Sequence, residues 1–236
     1  VEDDRIFCIN RILYDPRRQA TAVATANGLV FFDNSLRQRE TLSRDQGLIS
    51  SHVTDLALTP TGLAAATPAG ISFLEPGGIR SLYAFHGLVN NHVYSLASEG
   101  DRLLAGTLGG LSILDAGEVR LSLTGANSGL RQNWITALAR AGADWFAGTY
   151  GSGVVRLDSA AHWTALPDPG PACIINPDAL LVTDAAIYAG TLDRGLAIYH
   201  RAAGRWTLIT RGLPSANVTA LARQGDAILI GTDNGL

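Results

Sequence analysis

The chain has 236 residues, of which 47% are hydrophobic and 17% charged, and its formal net charge is −3. This composition predicts a folded globular protein, since a disordered chain carries more charge and fewer apolar residues. All 18 positive residues are arginine and acidic residues outnumber them, so we expect no basic surface for nucleic acid. The apolar runs are far shorter than the ~20 residues that cross a bilayer, so we also expect no membrane insertion of this segment.

A short glycine pattern returns six times along the chain. In order, its copies are ATANGL, ATPAGI, GTLGGL, GTYGSGV, GTLDRGL and GTDNGL, in which the glycine before the last apolar residue is Gly28, Gly70, Gly110, Gly153, Gly195 and Gly235. Separations of 42, 40, 43, 42 and 40 residues indicate an internal repeat. We predict a single domain over 1–236, with repeats at approximately 1–42, 43–84, 85–124, 125–166, 167–209 and 210–236.

A second motif precedes each glycine pattern. Its clear copies are GLISSHVTDLAL from Gly47, GLVNNHVYSLAS from Gly87, GLRQNWITALAR from Gly129 and GLPSANVTALAR from Gly212. The fifth copy, 171–182 (PACIINPDALLV), has lost the leading glycine, and in this alignment Asn176 takes the place of His52. The first copy requires two extra residues in its hairpin, around Asp15 to Gln19.

The apolar residues of each repeat alternate or cluster in short runs between Gly, Asp and Pro, which is typical of β-strands rather than helices. In the third repeat the predicted strands are approximately Val93–Ala97, Leu103–Gly106, Leu111–Leu114 and Glu118–Leu121. Four antiparallel strands per repeat, with no helical segment, predict an all-β fold: a β-propeller of four-stranded antiparallel blades. Six repeats are visible and the sixth stops after its second strand, so we expect the complete propeller to have seven blades.

The Gly-Thr pair that ends the second strand has a structural interpretation. Glycine permits close approach at the tightest part of the blade, and the threonine hydroxyl can bond to the turn that follows. Strings such as GTLGGL lead from strand to strand with no helix N-terminus behind them, so we do not expect them to bind phosphate.

The combination GL-x-x-N-x-V-x-x-L, an apolar strand, GT, a short turn and GL resembles the two-component regulator propeller repeat over essentially the whole chain. In that family an aromatic residue usually precedes GT. Asp144–Thr149 (DWFAGT) and Ala186–Thr191 (AIYAGT) come nearest, whereas the first two repeats have Ala-Thr. The resemblance implies a bacterial extracytoplasmic sensor module, periplasmic or secreted, that is commonly joined to a membrane-anchored histidine kinase or other output domain. The motif specifies turns and packing and carries no chemistry of its own.

In a propeller, the segment entering each innermost strand and the turn between the second and third strands lie on one face. We call this surface the turn face and expect it to bind the ligand, which we expect to be a small molecule, glycan or protein. Its candidate binding residues are His52, His92, Trp134, Tyr150, Asn176, Asp193, Arg194, Asn217, Asp233 and Asn234.

Two pairs of these residues allow more than one interpretation. His52 and His92 occupy equivalent positions in adjacent repeats and can bind a metal or carboxylate, or simply bond to a backbone carbonyl. Trp134 and Tyr150 can stack on a sugar, anchor a protein partner, or pack at the rim. With only two cysteines and no CxxC spacing, the sequence predicts no metal and no cofactor.

The sequence offers no nucleophile paired with a base and no two carboxylates converging on one cavity. The leading hypothesis is therefore a non-catalytic sensory or scaffolding propeller. Two alternatives remain open: a propeller-type lyase or hydrolase that uses His52 or His92 as a base, and a docking subunit of a larger complex.

Overall fold

The computed structural model describes residues 8–158, 161, 163–166 and 173–236. The strands form five four-stranded antiparallel sheets and one two-stranded sheet, each with its strands in chain order. The chain divides into two compact units, Val1–Ser122 and Leu123–Leu236. The extent of a single domain therefore stays a prediction, and the first seven residues of the first predicted repeat lie outside the described residues.

The first unit contains the first three sheets. Their strands are β1 (Ile9–Asp15), β2 (Ala20–Thr25), β3 (Gly28–Phe32) and β4 (Gln38–Leu42); β5 (Asp55–Thr59), β6 (Gly62–Thr67), β7 (Gly70–Glu75) and β8 (Gly78–Leu82); β9 (Val93–Glu99), β10 (Arg102–Thr107), β11 (Gly110–Asp115) and β12 (Glu118–Leu123). The third sheet confirms the four predicted strands of the third repeat, each two residues longer than predicted.

The second unit contains the other three sheets. Their strands are β13 (Ile135–Ala141), β14 (Asp144–Thr149), β15 (Val154–Leu157) and β16 (Trp163–Ala165); β17 (Ile175–Val182), β18 (Ala186–Thr191), β19 (Leu196–His200) and β20 (Arg205–Ile209); β21 (Val218–Gln224) and β22 (Ala227–Thr232). The prediction of an all-β propeller with four-stranded antiparallel blades is confirmed, and the sixth repeat contributes two strands.

Among the described residues, three connections between sheets contain one helical turn, which the sequence did not predict. These turns are Arg44–Gln46, Ala84–His86 and Gly125–Ser128. The hydroxyl of Ser43 accepts a hydrogen bond from the backbone of Asp45 and caps the first turn. Each turn ends at the leading glycine of the GL motif, in the left-handed conformation. The motif therefore encodes a helix stop as well as the approach to the next strand.

Within each unit, consecutive sheets pack on one another through apolar side chains. In the first unit, Ala22 and Phe31 of the first sheet belong to one buried cluster with Leu56 and Leu63 of the second. Each fully buried leucine or phenylalanine contributes about 1.5–3 kcal/mol. The first strands of neighbouring sheets lie side by side, β1 with β5 and β5 with β9, and in the second unit β13 with β17 and β17 with β21.

The threonine of the Gly-Thr or Ala-Thr pair closes the following turn in every repeat. Its hydroxyl donates to a glycine carbonyl at 2.7–2.8 Å and accepts from a backbone N–H of the turn at 2.9–3.2 Å. A Cβ added at Gly148 would lie 2.6 Å from Cγ2 of Ile175 in the next repeat. Both structural roles expected for the pair are therefore confirmed.

The hairpin of the first repeat has the expected insertion. Asp15 pairs with Ala20 and leaves four residues in the loop. In the second repeat Thr59 pairs with Gly62 and leaves two.

Candidate ligand-binding site

Backbone hydrogen bonds join the strand-entry segment to the turn within single repeats. In each case the residue after the threonine donates its N–H to the carbonyl of the residue before the innermost strand. The pairs are Leu108 to His92 at 3.1 Å, Tyr150 to Trp134 at 3.0 Å, Leu192 to Ile174 at 3.2 Å and Asp233 to Asn217 at 3.3 Å. The two kinds of candidate position are therefore neighbours within each of these four repeats.

The fifth repeat departs from the sequence alignment. The alignment puts Asn176 one residue before the innermost strand, in the place of His52. Ile175 in fact starts the strand, because it pairs with Thr191 as the first strand residue pairs with the GT threonine in the fourth and sixth repeats. Ile174 is therefore the equivalent of His52, and the placement of Asn176 is wrong by two residues.

Two extra residues within β17 explain the error. Ile175 pairs with Thr191 and Leu180 with Ala189, with a register shift between them. This step takes five residues, whereas the equivalent step in the fourth repeat, from Ile135 to Leu138, takes three. The intervening segment bulges, and Asp178 within it has φ +57°. Comparison of the repeats does not reveal where such a bulge lies. One signal was present, because the other copies start the strand with an apolar residue, which favours Ile175 over Pro177 as the first residue of the strand.

Asn176 is buried and bonds to the next repeat. Its Nδ2 donates to the carbonyl of Val218 at 2.7 Å. Asn10 and Thr54 make the same bond in the first unit, to Val53 at 2.7 Å and Val93 at 2.7 Å. In these three repeats, the side chain that follows Ile9, Val53 or Ile175 thus bonds to the valine at the start of the next repeat's innermost segment.

In the first unit the turn face carries both histidines. His52 is exposed, while His92 is half-buried and stacks on Tyr94 with ring centroids 4.3 Å apart and an interplanar angle of 3°. Burial, and secondarily the charge of His52, lower the pKa of His92. Burial raises the pKa of Tyr94. The sequence did not identify Tyr94 as a candidate site residue, and its one signal was an aromatic residue two positions after a histidine.

In the second unit an aromatic pair occupies the fourth repeat. Trp134 and Tyr150 stack with centroids 4.0 Å apart and an interplanar angle of 9°. Tyr150 is 37% exposed, and the Trp134 carbonyl accepts its backbone N–H. The pair presents an aromatic surface at the turn face, which suits the flat face of a ligand or an apolar partner residue.

Polar residues occupy the turn face of the fifth and sixth repeats. Asn217 donates to Oδ2 of Asp233 at 3.1 Å, and bonds to Ser215 and Asn217 lower the pKa of Asp233. Sequence reasoning missed Ser215, whose hydroxyl also accepts from the backbone of Asn217 at 3.1 Å. Asn234 bonds to the carbonyl of Pro214 at 3.4 Å. These contacts hold the sixth-repeat turn in place.

Asp193 and Arg194 lie in the turn of the fifth repeat. Asp193 is exposed and Arg194 half-buried, and the Arg194 backbone N–H bonds to Thr191 Oγ1 at 2.9 Å. Within the described part of the chain, no three His, Cys, Asp or Glu side chains gather in a way that could hold a metal ion. The described candidate residues offer stacking surfaces and hydrogen-bonding groups.

Solved structures with a similar fold include extracellular domains of bacterial proteins. The extracellular domain of the putative hybrid two-component system BT4673 from B. thetaiotaomicron gives a TM-score of 0.79 at 21% identity, over 97% of this chain and 31% of that one. That of BT3049 from the same organism gives 0.78 at 19%, over 96% and 32%. PorZ, an essential surface component of the type-IX secretion system of Porphyromonas gingivalis, gives 0.66 at 16%, over 97% and 32%.

These similarities concern the fold. The chain spans about a third of the length of each of these proteins. No protein-family model and no curated protein sequence matches it. Among the residues that the structure describes, no helix has the length and apolar character needed to span a bilayer. The chain is thus a β-propeller with the fold of the extracellular domains of two-component signalling proteins, as its resemblance to the two-component regulator propeller repeat predicts.

Proposed function

We propose that this chain is a non-catalytic binding propeller that serves as an extracytoplasmic sensory or scaffold module of a bacterial signalling or assembly protein. The observation that carries the proposal is the backbone pairing of entry and turn segments. In the third, fourth and fifth repeats, backbone groups and one threonine hydroxyl hold the turn. The exposed side chains of those turns are therefore available to recognise a ligand.

The similar structures support the sensory role. BT4673 and BT3049 are described as hybrid two-component systems, and the similar parts are their extracellular domains. By analogy, this propeller meets its ligand outside the cytoplasm and passes the signal to a membrane-anchored kinase or other output domain elsewhere in the protein. The ligand is a small molecule, a glycan or a protein.

The site of binding is the turn face, with the stack of Trp134 and Tyr150 as its aromatic anchor. Exposed, rigid aromatic rings account for a large share of binding energy in many interfaces. In the same unit, the polar side chains of the fifth and sixth repeats supply hydrogen bonds for ligand groups. In the first unit, His52 and His92 form a candidate surface of their own.

Binding can be tested with immobilised glycans, peptides and metabolites, followed by calorimetry on any ligand found. We expect Tyr150→Ala to weaken binding about tenfold or more, the effect of losing one aromatic anchor. Phe85→Ala is the matched control, because Phe85 is an aromatic residue with 86% exposure that lies outside the candidate site. Unchanged affinity in both Tyr150→Ala and Trp134→Ala would place the binding site elsewhere.

A docking role in a larger assembly is a second candidate, favoured by the similarity to PorZ, a component of a secretion system. If it is correct, the protein should be recovered with partner proteins from mild extracts of its cells, and turn-face substitutions should release them. Recovery as a monomer under those conditions would argue against this candidate.

A further inference from the structure

Asn176 makes two hydrogen bonds with one amide group. Its Nδ2 donates to the carbonyl of Val218 at 2.7 Å and to Oδ1 of Asn217 at 2.8 Å. The first bond is the inter-repeat bond that Asn10 and Thr54 also make. The hydroxyl of Thr54 has a single donor hydrogen, and this hydrogen is enough to make the inter-repeat bond. The second bond of Asn176, to Asn217, is therefore not needed to join the repeats and has another role.

The hydrogen bonds continue from Asn176 to the protein surface. Asn217 accepts from Asn176 through Oδ1 and donates through Nδ2 to Oδ2 of Asp233 at 3.1 Å. The two ends of this series are the Val218 carbonyl and the Asp233 carboxylate, and both only accept hydrogen bonds. Each of the two amides therefore has one orientation that satisfies the whole series.

The fixed orientation determines what the surface offers. Asp233 is exposed, and bonds from Ser215 and then Asn217 are the main causes that lower its pKa. Asn234 bonds to the carbonyl of Pro214 and does not compete for this carboxylate in the described contacts. At neutral pH this part of the turn face presents an ionised acceptor.

Resting on the binding function proposed above, we propose that buried Asn176 is a positioning residue of the turn face. Acting through Asn217, it holds the Asp233 carboxylate in place to accept hydrogen bonds from a ligand. This part of the site then selects groups that donate hydrogen bonds, namely hydroxyl and ammonium groups, and repels carboxylates and phosphates.

The chain itself supplies the variant that separates the two bonds of Asn176. Asn176→Thr keeps a donor for the Val218 carbonyl, as Thr54 does for Val93, and removes the bond to Asn217. We expect the urea midpoint to stay near that of the wild type and the pKa of Asp233, followed by carboxyl-carbon NMR, to rise toward 3.8. Asn217→Ala should also raise the pKa of Asp233. The double variant, Asn176→Thr with Asn217→Ala, should raise this pKa no further than Asn217→Ala alone, because both substitutions interrupt the same series of hydrogen bonds.

Two further measurements complete the test. Thr54→Ala removes the equivalent inter-repeat bond in the first unit and should leave the pKa of Asp233 unchanged. In the wild type, the side-chain amide signals of Asn176 should titrate with the pKa of Asp233, a result that does not depend on any variant folding. An unchanged Asp233 pKa in folded Asn176→Thr, or Asn176 signals that ignore this titration, would overturn the positioning role.

Ligand selectivity is tested with ethylammonium, methyl glucoside and acetate at constant ionic strength, observed at the Asn217 side-chain amide. We expect ethylammonium or methyl glucoside to shift this signal, and Asn176→Thr to require about three- to tenfold more probe, since part of a charge-assisted hydrogen bond is lost. The responding probe distinguishes an ammonium from a hydroxyl group. An equal or stronger response to acetate would refute the selectivity.

The two proposals fail in different ways. If the titrations support the positioning role and no ligand of any class binds, the binding function is wrong. If a ligand binds at the turn face with equal affinity in the wild type and Asn176→Thr, the binding function holds and the positioning role is wrong.

Discussion

Asp55 links three repeats of the first unit through one buried carboxylate. It is fully buried in β5. Oδ2 accepts from the backbone N–H of Leu96 at 2.6 Å and from the Ser95 hydroxyl at 3.3 Å in the third repeat. Oδ1 accepts from the backbone of Leu56 at 2.7 Å and lies 3.3 Å from Nε of Arg11 in the first repeat. Asp55→Ala removes the acceptor for all of these donors at once.

We expect Asp55→Ala to lower the free energy of unfolding by about 3–5 kcal/mol, the usual cost of removing one partner from a buried charged network. Most of this comes from the donors left inside, because a buried N–H without an acceptor costs about 1–3 kcal/mol. Arg11 contributes less, since its side chain is 40% exposed and water can replace the carboxylate. Asp55→Asn keeps one oxygen acceptor, and we expect it to cost about 1–3 kcal/mol.

Urea unfolding followed by circular dichroism measures the free energy of unfolding. Hydrogen exchange at the Leu96 amide measures how readily the structure opens at the hydrogen bond to Asp55. The control is Asp101→Ala, an exposed carboxylate of the same unit, for which we expect a change within about 0.5 kcal/mol. A loss below about 1 kcal/mol for Asp55→Ala, or unchanged exchange at Leu96, would show that this carboxylate does not hold the repeats together.

Three other changes test the turns and the histidine pair. Thr67→Val removes both bonds of a turn-closing hydroxyl and should cost about 1–2 kcal/mol in urea unfolding; no loss would mean that backbone pairing alone holds the turn. Gly195→Ala places a Cβ 2.2 Å from the Ile209 carbonyl oxygen at φ +80° and should cost about 2–4 kcal/mol in the same assay, with a smaller loss arguing against this close approach. The folded protein binds the His92 proton less readily than the unfolded chain, so stability should decline as pH falls below 6.5. His52→Ala should raise the pKa of His92 in an NMR titration, and an unchanged value would mean that the two rings do not interact.

Much of the fold follows from local patterns. The glycine spacing gives the repeat, the short apolar runs give the strands, and the threonine hydroxyl closes a turn only a few residues away. The extra residues around Asp15 to Gln19 are also visible, because they lengthen a hairpin between two recognisable strands. These features depend on residues close together in the sequence, so one copy of the repeat can be compared directly with another.

The candidate site was less accessible to the sequence. The positions of Trp134 and Tyr150 follow from the repeat, but the stacking of their rings depends on how two segments meet across one sheet. The bulge in β17 moved Asn176 from the expected surface to a buried position, because pairing with β18 starts at Ile175 and not two residues later. Strand register is set by the pairing of two neighbouring strands, so the sequence of one strand alone does not specify it.

The sequence by itself determined the repeat, the strands and turns of each blade and which loops share a face, because these depend on backbone preferences and apolar spacing within about 40 residues. Only the tertiary structure decided the partners of Asp55 and the orientation of the Asn176 and Asn217 amides. Asp55 and Asn176 meet residues about one repeat away, and Asn217 also bonds to Asp233 within its own repeat. A polar side chain carries no mark of its partner until packing brings the two together.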